Sequence, residues 1–139
     1  MKKMLFVDDR SKRLHFALDH YGKEYDVTLC CNVPEALRLL ATREWDVVSL
    51  DHDLNGHDFQ DPEFTGSGME IVRYIQKCGG WPKQEQPGSF PPIFWIHSSN
   101  IFAAHLMITT LIEIDLHAYW KPIRANIEYI QYDEKGIPK

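Results

Sequence analysis

Residues 45–54 read WDVVSLDHDL, and this stretch decides the fold. A short run dominated by apolar and β-branched residues ends abruptly on Asp51, His52 and Asp53. A run of that length and composition reads as a buried strand, here expected over residues 45–50. Carboxylates directly behind a buried strand mark its carboxyl end as a place where chemistry can sit.

The same grammar recurs on either side. Met4 to Val7 is an apolar run that meets Asp8 and Asp9. Pro92 to Ile96 runs into His97 and Ser98, and His117 to Trp120 runs into Lys121 and Pro122. Tyr25 to Leu29 carries β-type residues and reads as a further strand. Helical segments lie between. Ser11 is a candidate N-cap for a helix carrying Leu14, Phe16, Leu18 and Tyr21, which Gly22 ends. Residues 33–43 open with Pro34 and place Ala36, Leu37, Leu40 and Ala41 on one face. Residues 69–78 direct Met69, Ile71, Val72 and Ile75 inward. Residues 100–115 form the next helix, a core element first and a dimer face second. Residues 123–139 read as a helix first and as a strand and turn second.

Alternation of short apolar strands with helices implies an α/β fold, a parallel sheet covered on both faces in three layers. The chain has 139 residues, enough for one domain over 1–139 with a core that needs no disulfide. Cys30, Cys31 and Cys78 have no framework spacing, which fits a reducing compartment. A formal net charge of −5 argues against a broad basic surface for nucleic acid. No stretch approaches the roughly 20 apolar residues that span a bilayer, and the N-terminus lacks a signal-peptide core. The expected location is cytoplasmic, without a membrane partner.

In such sheets the ligand site lies beyond the carboxyl ends of the strands, at the topological switch point. That rule brings together Asp8 and Asp9, Asp51 and Asp53, His97 and Ser98, and Lys121. One Asp after a strand is ordinarily a cap or turn residue. Four at converging strand ends repel one another and call for a cation. Their oxygens suit Mg²⁺, with phosphate at its open positions. Histidines at the site, His52 and His97, bring Mn²⁺ or another transition metal into range. Lys121 is a point charge for a phosphoryl oxygen. The loop over residues 55–67 hangs over the same end of the sheet, whereas residues 79–91 lie at the opposite end. His15, His20, His105 and His117 have no companion motif and read as structural, and His57 stays open.

The series FVDD, SLDHDL, WIHSS and YWKP resembles the receiver domain of response regulators over about residues 4–123. The resemblance implies the flavodoxin-like receiver fold, a doubly wound five-stranded parallel sheet in the order 2-1-3-4-5. It also implies Mg²⁺ at the acidic residues, a phosphoacceptor at Asp51, a hydroxyl at Ser98 and a lysine at Lys121.

The departures from ordinary receivers are themselves ordered. DDR (residues 8–10), DHDL (51–54), Thr65-Gly66 and HSSN (97–100) are similar to the cyclic-phosphate-processing receiver domains. That resemblance implies a metal-dependent phosphoesterase acting on a cyclic phosphate, such as a 2′,3′-cyclic RNA end or a related nucleotide. In that reading Asp8, Asp9, Asp51 and Asp53 hold the metal, and Asp51, His52, His97 and Lys121 serve catalysis. Arg10, Ser98 and Asn100 bind a phosphorylated small molecule or RNA end. Two alternatives use the same residues: a signalling switch phosphorylated on Asp51, and a non-catalytic phosphonucleotide sensor.

Overall fold

In the computed structural model of the chain, residues 1–54, 66–81 and 90–123 are described. Strands and helices alternate as β1 (Lys2–Val7), α1 (Ser11–Tyr21), β2 (Tyr25–Cys30), α2 (Val33–Thr42), β3 (Val47–Leu50), α3 (Gly68–Lys77), β4 (Ile93–Ile96), α4 (Ile101–Glu113) and β5 (Ala118–Trp120). The strands form one sheet in the order β2-β1-β3-β4-β5, and every pair is parallel. This is the order expected from the sequence. The readings made for residues 55–65, His57 and Thr65 included, and for residues 82–89 and 124–139 lie outside the described residues.

Alternation along the strands divides the core in two. Leu5, Val7, Val48, Leu50, Phe94 and Ile96 face α2, α3 and α4. Met4, Phe6 and Val47 face α1, where Ala17, Leu14, Phe16 and Tyr21 close over them with Trp95 and Ile123. Each fully buried Leu, Ile or Phe contributes about 1.5–3 kcal/mol from apolar burial. That packing fixes the sheet as a rigid platform beneath its carboxyl edge.

The element ends differ from the sequence reading for local reasons. β1 starts at Lys2, because pairing with β2 extends the ladder to Lys2 opposite Tyr25 while both lysines stay exposed. β3 starts at Val47 rather than Trp45, since the Trp45 indole turns back and donates to the Leu39 carbonyl at 3.0 Å. The N-cap of α1 is Arg10, not Ser11, and no side chain caps it. In α2, Asn32 caps the helix by accepting from the Glu35 N–H at 2.9 Å, and Leu39 takes the buried place expected of Ala41, which is exposed. α4 is a core helix through Ala103, Ala104, Met107 and Leu111, yet Ile101, Phe102 and Ile112 remain exposed. All three cysteines are free. Among the described residues no helix is long and apolar enough to cross a membrane.

Candidate metal and phosphoryl site

The parallel ladder runs one residue past the strand ends. Asp8 donates its N–H to Cys30 O at 3.0 Å, Asp51 to Val7 O at 3.1 Å, His97 to Leu50 O at 3.0 Å, and Lys121 to Ile96 O at 2.8 Å. Register pairs Val7 with Leu50, Leu50 with Ile96, and Ile96 with Trp120. Asp8, Asp51, His97 and Lys121 therefore form one row across the carboxyl edge. Strand alternation puts them on the α1 side, in line with Phe6, Ser49, Trp95 and Tyr119 two residues earlier.

Within that row, the hydroxyl expected beside Asp51 is replaced by imidazole. His97, not Ser98, stands next to Asp51 because Leu50 pairs with Ile96. The His97 ring is fully buried and stacks on Phe6, with centroids 4.5 Å apart and planes 5° from parallel. Its Nδ1 lies 2.7 Å from Ser49 Oγ, and its Nε2 lies 2.9 Å from Asp8 Oδ2. The serine and the carboxylate between them fix the ring on both sides.

Arg13 completes the group from the first turn of α1. Its Nη1 donates to Asp51 Oδ2 at 3.1 Å and reaches Asp8 Oδ2 at 3.4 Å. Asp8 Oδ1 accepts the Arg10 backbone N–H at 2.8 Å. The two carboxyls titrate in opposite directions. Burial acts to raise the Asp8 pKa, but the His97 hydrogen bond and field, the Arg10 N–H and Arg13 together bring it below the usual value. Burial dominates at Asp51 and pushes it up to about 6, helped by Asp8 and Asp53 and opposed by His97 and Arg13.

Behind Asp51 the backbone is closed by Gly68, whose N–H donates to His52 O at 2.8 Å. A Cβ on Gly68 would lie 2.0 Å from the Asp51 carbonyl oxygen, so only glycine lets α3 start this close to the site.

Asp9 and Asp53 fall outside the donor group formed by Asp8, Asp51 and His97. His52 is buried, with Nδ1 2.8 Å from Asp53 Oδ1. Asn100 caps α4 through Oδ1, accepting from the Ala103 N–H, and its Nδ2 donates to Asp53 Oδ1 at 3.3 Å. Ser98 is buried, and its Oγ accepts the Asn100 N–H at 3.1 Å. Arg10 is exposed at the head of α1. Lys121 is in the row, but its ammonium leans back 3.8 Å over the Trp95 ring, and its desolvation there lowers its pKa.

Two members of the network escaped the sequence reading. Ser49 had a signal: it is the one hydroxyl inside the buried VVSL run, two residues before Asp51 on the same face. Arg13 had a weaker one, a basic residue in the first turn of a helix that starts three residues after Asp8.

The donor set suits a divalent cation. One atom from each of Asp8, Asp51 and His97 lies within 4.8 Å of the others. A positive group, the Arg13 guanidinium, already rests against both carboxylates. Two carboxylates with an imidazole suit Mn²⁺ and similar ions as well as Mg²⁺.

Residues 3–113 match the family described as Cyclic-phosphate processing Receiver domain. No curated protein matches the sequence. Among solved structures, the chain is similar to the response regulator TrrA from Thermotoga maritima in complex with Mg²⁺ and BeF. Identity is 19% and the TM-score 0.59, with 93% of this chain and 92% of that chain covered. It is similar to a CheY-like receiver domain from Methanospirillum hungatei at 16% identity and a TM-score of 0.58, covering 93% and 88%. A response regulator from Burkholderia pseudomallei with a phosphorylated aspartic acid, calcium ion and citrate gives 16% identity and a TM-score of 0.57, covering 93% of this chain and 65% of that one. At these identities the likeness shows the receiver fold.

Proposed function

The chain belongs to the family of cyclic-phosphate processing receiver domains, and from that premise we propose that it is a divalent-metal receiver module that accepts a phosphoryl group on Asp51 and acts through a partner protein. The observation that supports this reading is the row at the carboxyl edge. Asp51 stands at the end of a central strand, with Asp8 on one neighbour and His97 on the other. Lys121 extends the same row on β5.

When bound, a divalent ion supplies charge neutralisation for the phosphoryl oxygens. The residues do the rest. Asp8 and Asp51 would hold that ion through their carboxylate oxygens, and His97, hydrogen-bonded to Asp8, would keep that carboxylate in place. Asp51 must be ionised to attack phosphorus, which its pKa of about 6 allows at neutral pH. An acyl phosphate donor loses its carboxylate as the Asp51 oxygen forms the new P–O bond. Lys121, next in the row on β5, would bind the incoming oxygens after leaving the Trp95 face, a contact worth about 0.5–2 kcal/mol.

A second reading, opening of a cyclic phosphodiester, draws on the family description and on imidazole in the row beside Asp51. It requires a general acid or base that reaches the substrate. His97 is buried with both ring nitrogens engaged, and His52 is buried against Asp53. The switch reading needs no such group, and is the one we favour. Parallel incubations with acetyl phosphate and with a panel of 2′,3′-cyclic nucleotides, each with Mg²⁺ or Mn²⁺, separate the two. Protein that gains a phosphoryl group while the cyclic nucleotides stay intact supports the switch. Opened rings with unlabelled protein support the esterase.

A further inference from the structure

Arg13 lies where the two carboxylates would share a metal ion, and that position has a consequence for loading. Nη1 is 3.1 Å from Asp51 Oδ2 and 3.4 Å from Asp8 Oδ2. His97 Nε2 shares the same Asp8 oxygen at 2.9 Å. A divalent ion bonded to those oxygens and the guanidinium cannot occupy the same space. The arginine is well shielded, its side chain only 13% exposed, so its charge acts on the carboxylates with little screening.

The fold holds the stem of Arg13 more firmly than its head. The backbone is fixed in the first turn of α1, where the Arg13 N–H donates to Arg10 O at 3.1 Å. The guanidinium is held through Nη1, while its Nε is buried with no hydrogen-bond partner. Moving the head gives up the two carboxylate contacts, which an incoming cation would itself replace. The guanidinium also has a planar fork of donors, which matches phosphoryl oxygens better than it matches two separate carboxylates.

We propose that Arg13 is a resident counter-cation that a divalent metal must displace from Asp8 and Asp51, and that the displaced guanidinium then binds the oxygens of the phosphoryl group at Asp51. This rests on the metal-and-phosphoryl reading above. It leaves the unloaded site partly neutralised, one positive charge against two carboxylates, and it links metal entry to the arrival of a phosphate ligand. Arg13 is then a binding residue for the phosphoryl group and a competitor of the metal, in two positions of one side chain.

Calorimetric titration of Mg²⁺ and Mn²⁺ into wild type, Arg13→Gln and Asp51→Asn tests the first half. Beryllofluoride titrated in the presence of Mg²⁺, as a phosphoryl probe, tests the second. Arg13→Gln should bind the metal on the order of tenfold more tightly than wild type. It should bind beryllofluoride on the order of tenfold more weakly at saturating metal. Metal affinity in Arg13→Gln equal to or below that of wild type would overturn displacement. Unchanged beryllofluoride affinity would overturn the hand-over. If neither wild type nor Arg13→Gln binds metal, the metal reading itself fails and the inference goes with it. Should Arg13→Gln not fold, Arg13→Lys replaces it. Its lost fork should still weaken beryllofluoride binding, and a wild-type affinity there would count against the hand-over.

Discussion

His97 Nε2 lies 2.9 Å from Asp8 Oδ2, and both side chains are fully buried. The pair is a structural element of the site as much as a chemical one, because Ser49 and Phe6 lock the imidazole from the other sides. His97→Ala would remove one partner of the buried Asp8 carboxylate, which keeps Arg13 and the Arg10 N–H, and the Ser49 hydroxyl's partner. The expected cost is about 2–4 kcal/mol of folding stability, read from urea denaturation. The pH dependence has a definite sign. Asp8 is held below its usual pKa, so its ionised form favours the fold at neutral pH, and that contribution fades as pH falls below about 4. In His97→Ala the part that depends on His97 should vanish, and a stability difference unchanged down to acidic pH would count against the pairing.

Asp51 has the opposite sign. Its pKa is raised to about 6, so the protonated carboxyl suits the fold and stability is lost as pH rises from about 4 through 6. Asp51→Asn should therefore stabilise the metal-free protein at pH 7.5 by about 1–2 kcal/mol, with a higher melting temperature. The same ionisation makes divalent-metal affinity of wild type fall as pH drops below about 6. A melting temperature lowered by the substitution would show that the carboxylate is not the strained member of the group.

Gly68 is the clearest steric test. Its missing Cβ would sit 2.0 Å from Asp51 O and 3.0 Å from the Met107 methyl. Gly68→Ala should push the start of α3 away from Asp51 and cost about 1–3 kcal/mol. Metal affinity should fall with it, since the Asp51 backbone moves. Wild-type stability and metal binding together would mean that α3 can shift freely.

Lys121 tests whether a residue can matter to binding without mattering to the fold. It is exposed, and its ammonium rests 3.8 Å above the Trp95 ring. Lys121→Ala should change stability by no more than about 2 kcal/mol. It should nevertheless slow labelling by acetyl phosphate by at least about tenfold, an effect on the order of one charge–phosphate contact. Equal labelling rates would leave Lys121 as a surface lysine on an aromatic ring.

The sheet was legible because four apolar runs stop on a polar or charged residue, at Val7, Leu50, Ile96 and Trp120. An abrupt change of that kind survives any uncertainty in helix ends. Positions within the site were less legible. HSS offers both His97 and Ser98 as the residue beside Asp51, and only the pairing of Leu50 with Ile96 selects the histidine. Asp9, two residues past β1, and Asp53, three residues past β3, stand close to Asp8 and Asp51 in sequence, yet fall outside the group formed by Asp8, Asp51 and His97. Arg13 was invisible for the converse reason. In the sequence it is one basic residue of a surface helix, and only the packing of α1 over Met4 and Phe6 brings its side chain to the carboxylates.

The most direct measurement is the location of the phosphoryl group. Wild type is treated with acetyl phosphate and Mg²⁺, digested, and mapped by mass spectrometry. A single phosphoryl group is expected, on the peptide that carries Asp51, with no labelling of Asp51→Asn. A phosphoryl group on another residue, or none on protein shown to hold the metal, would contradict the switch reading.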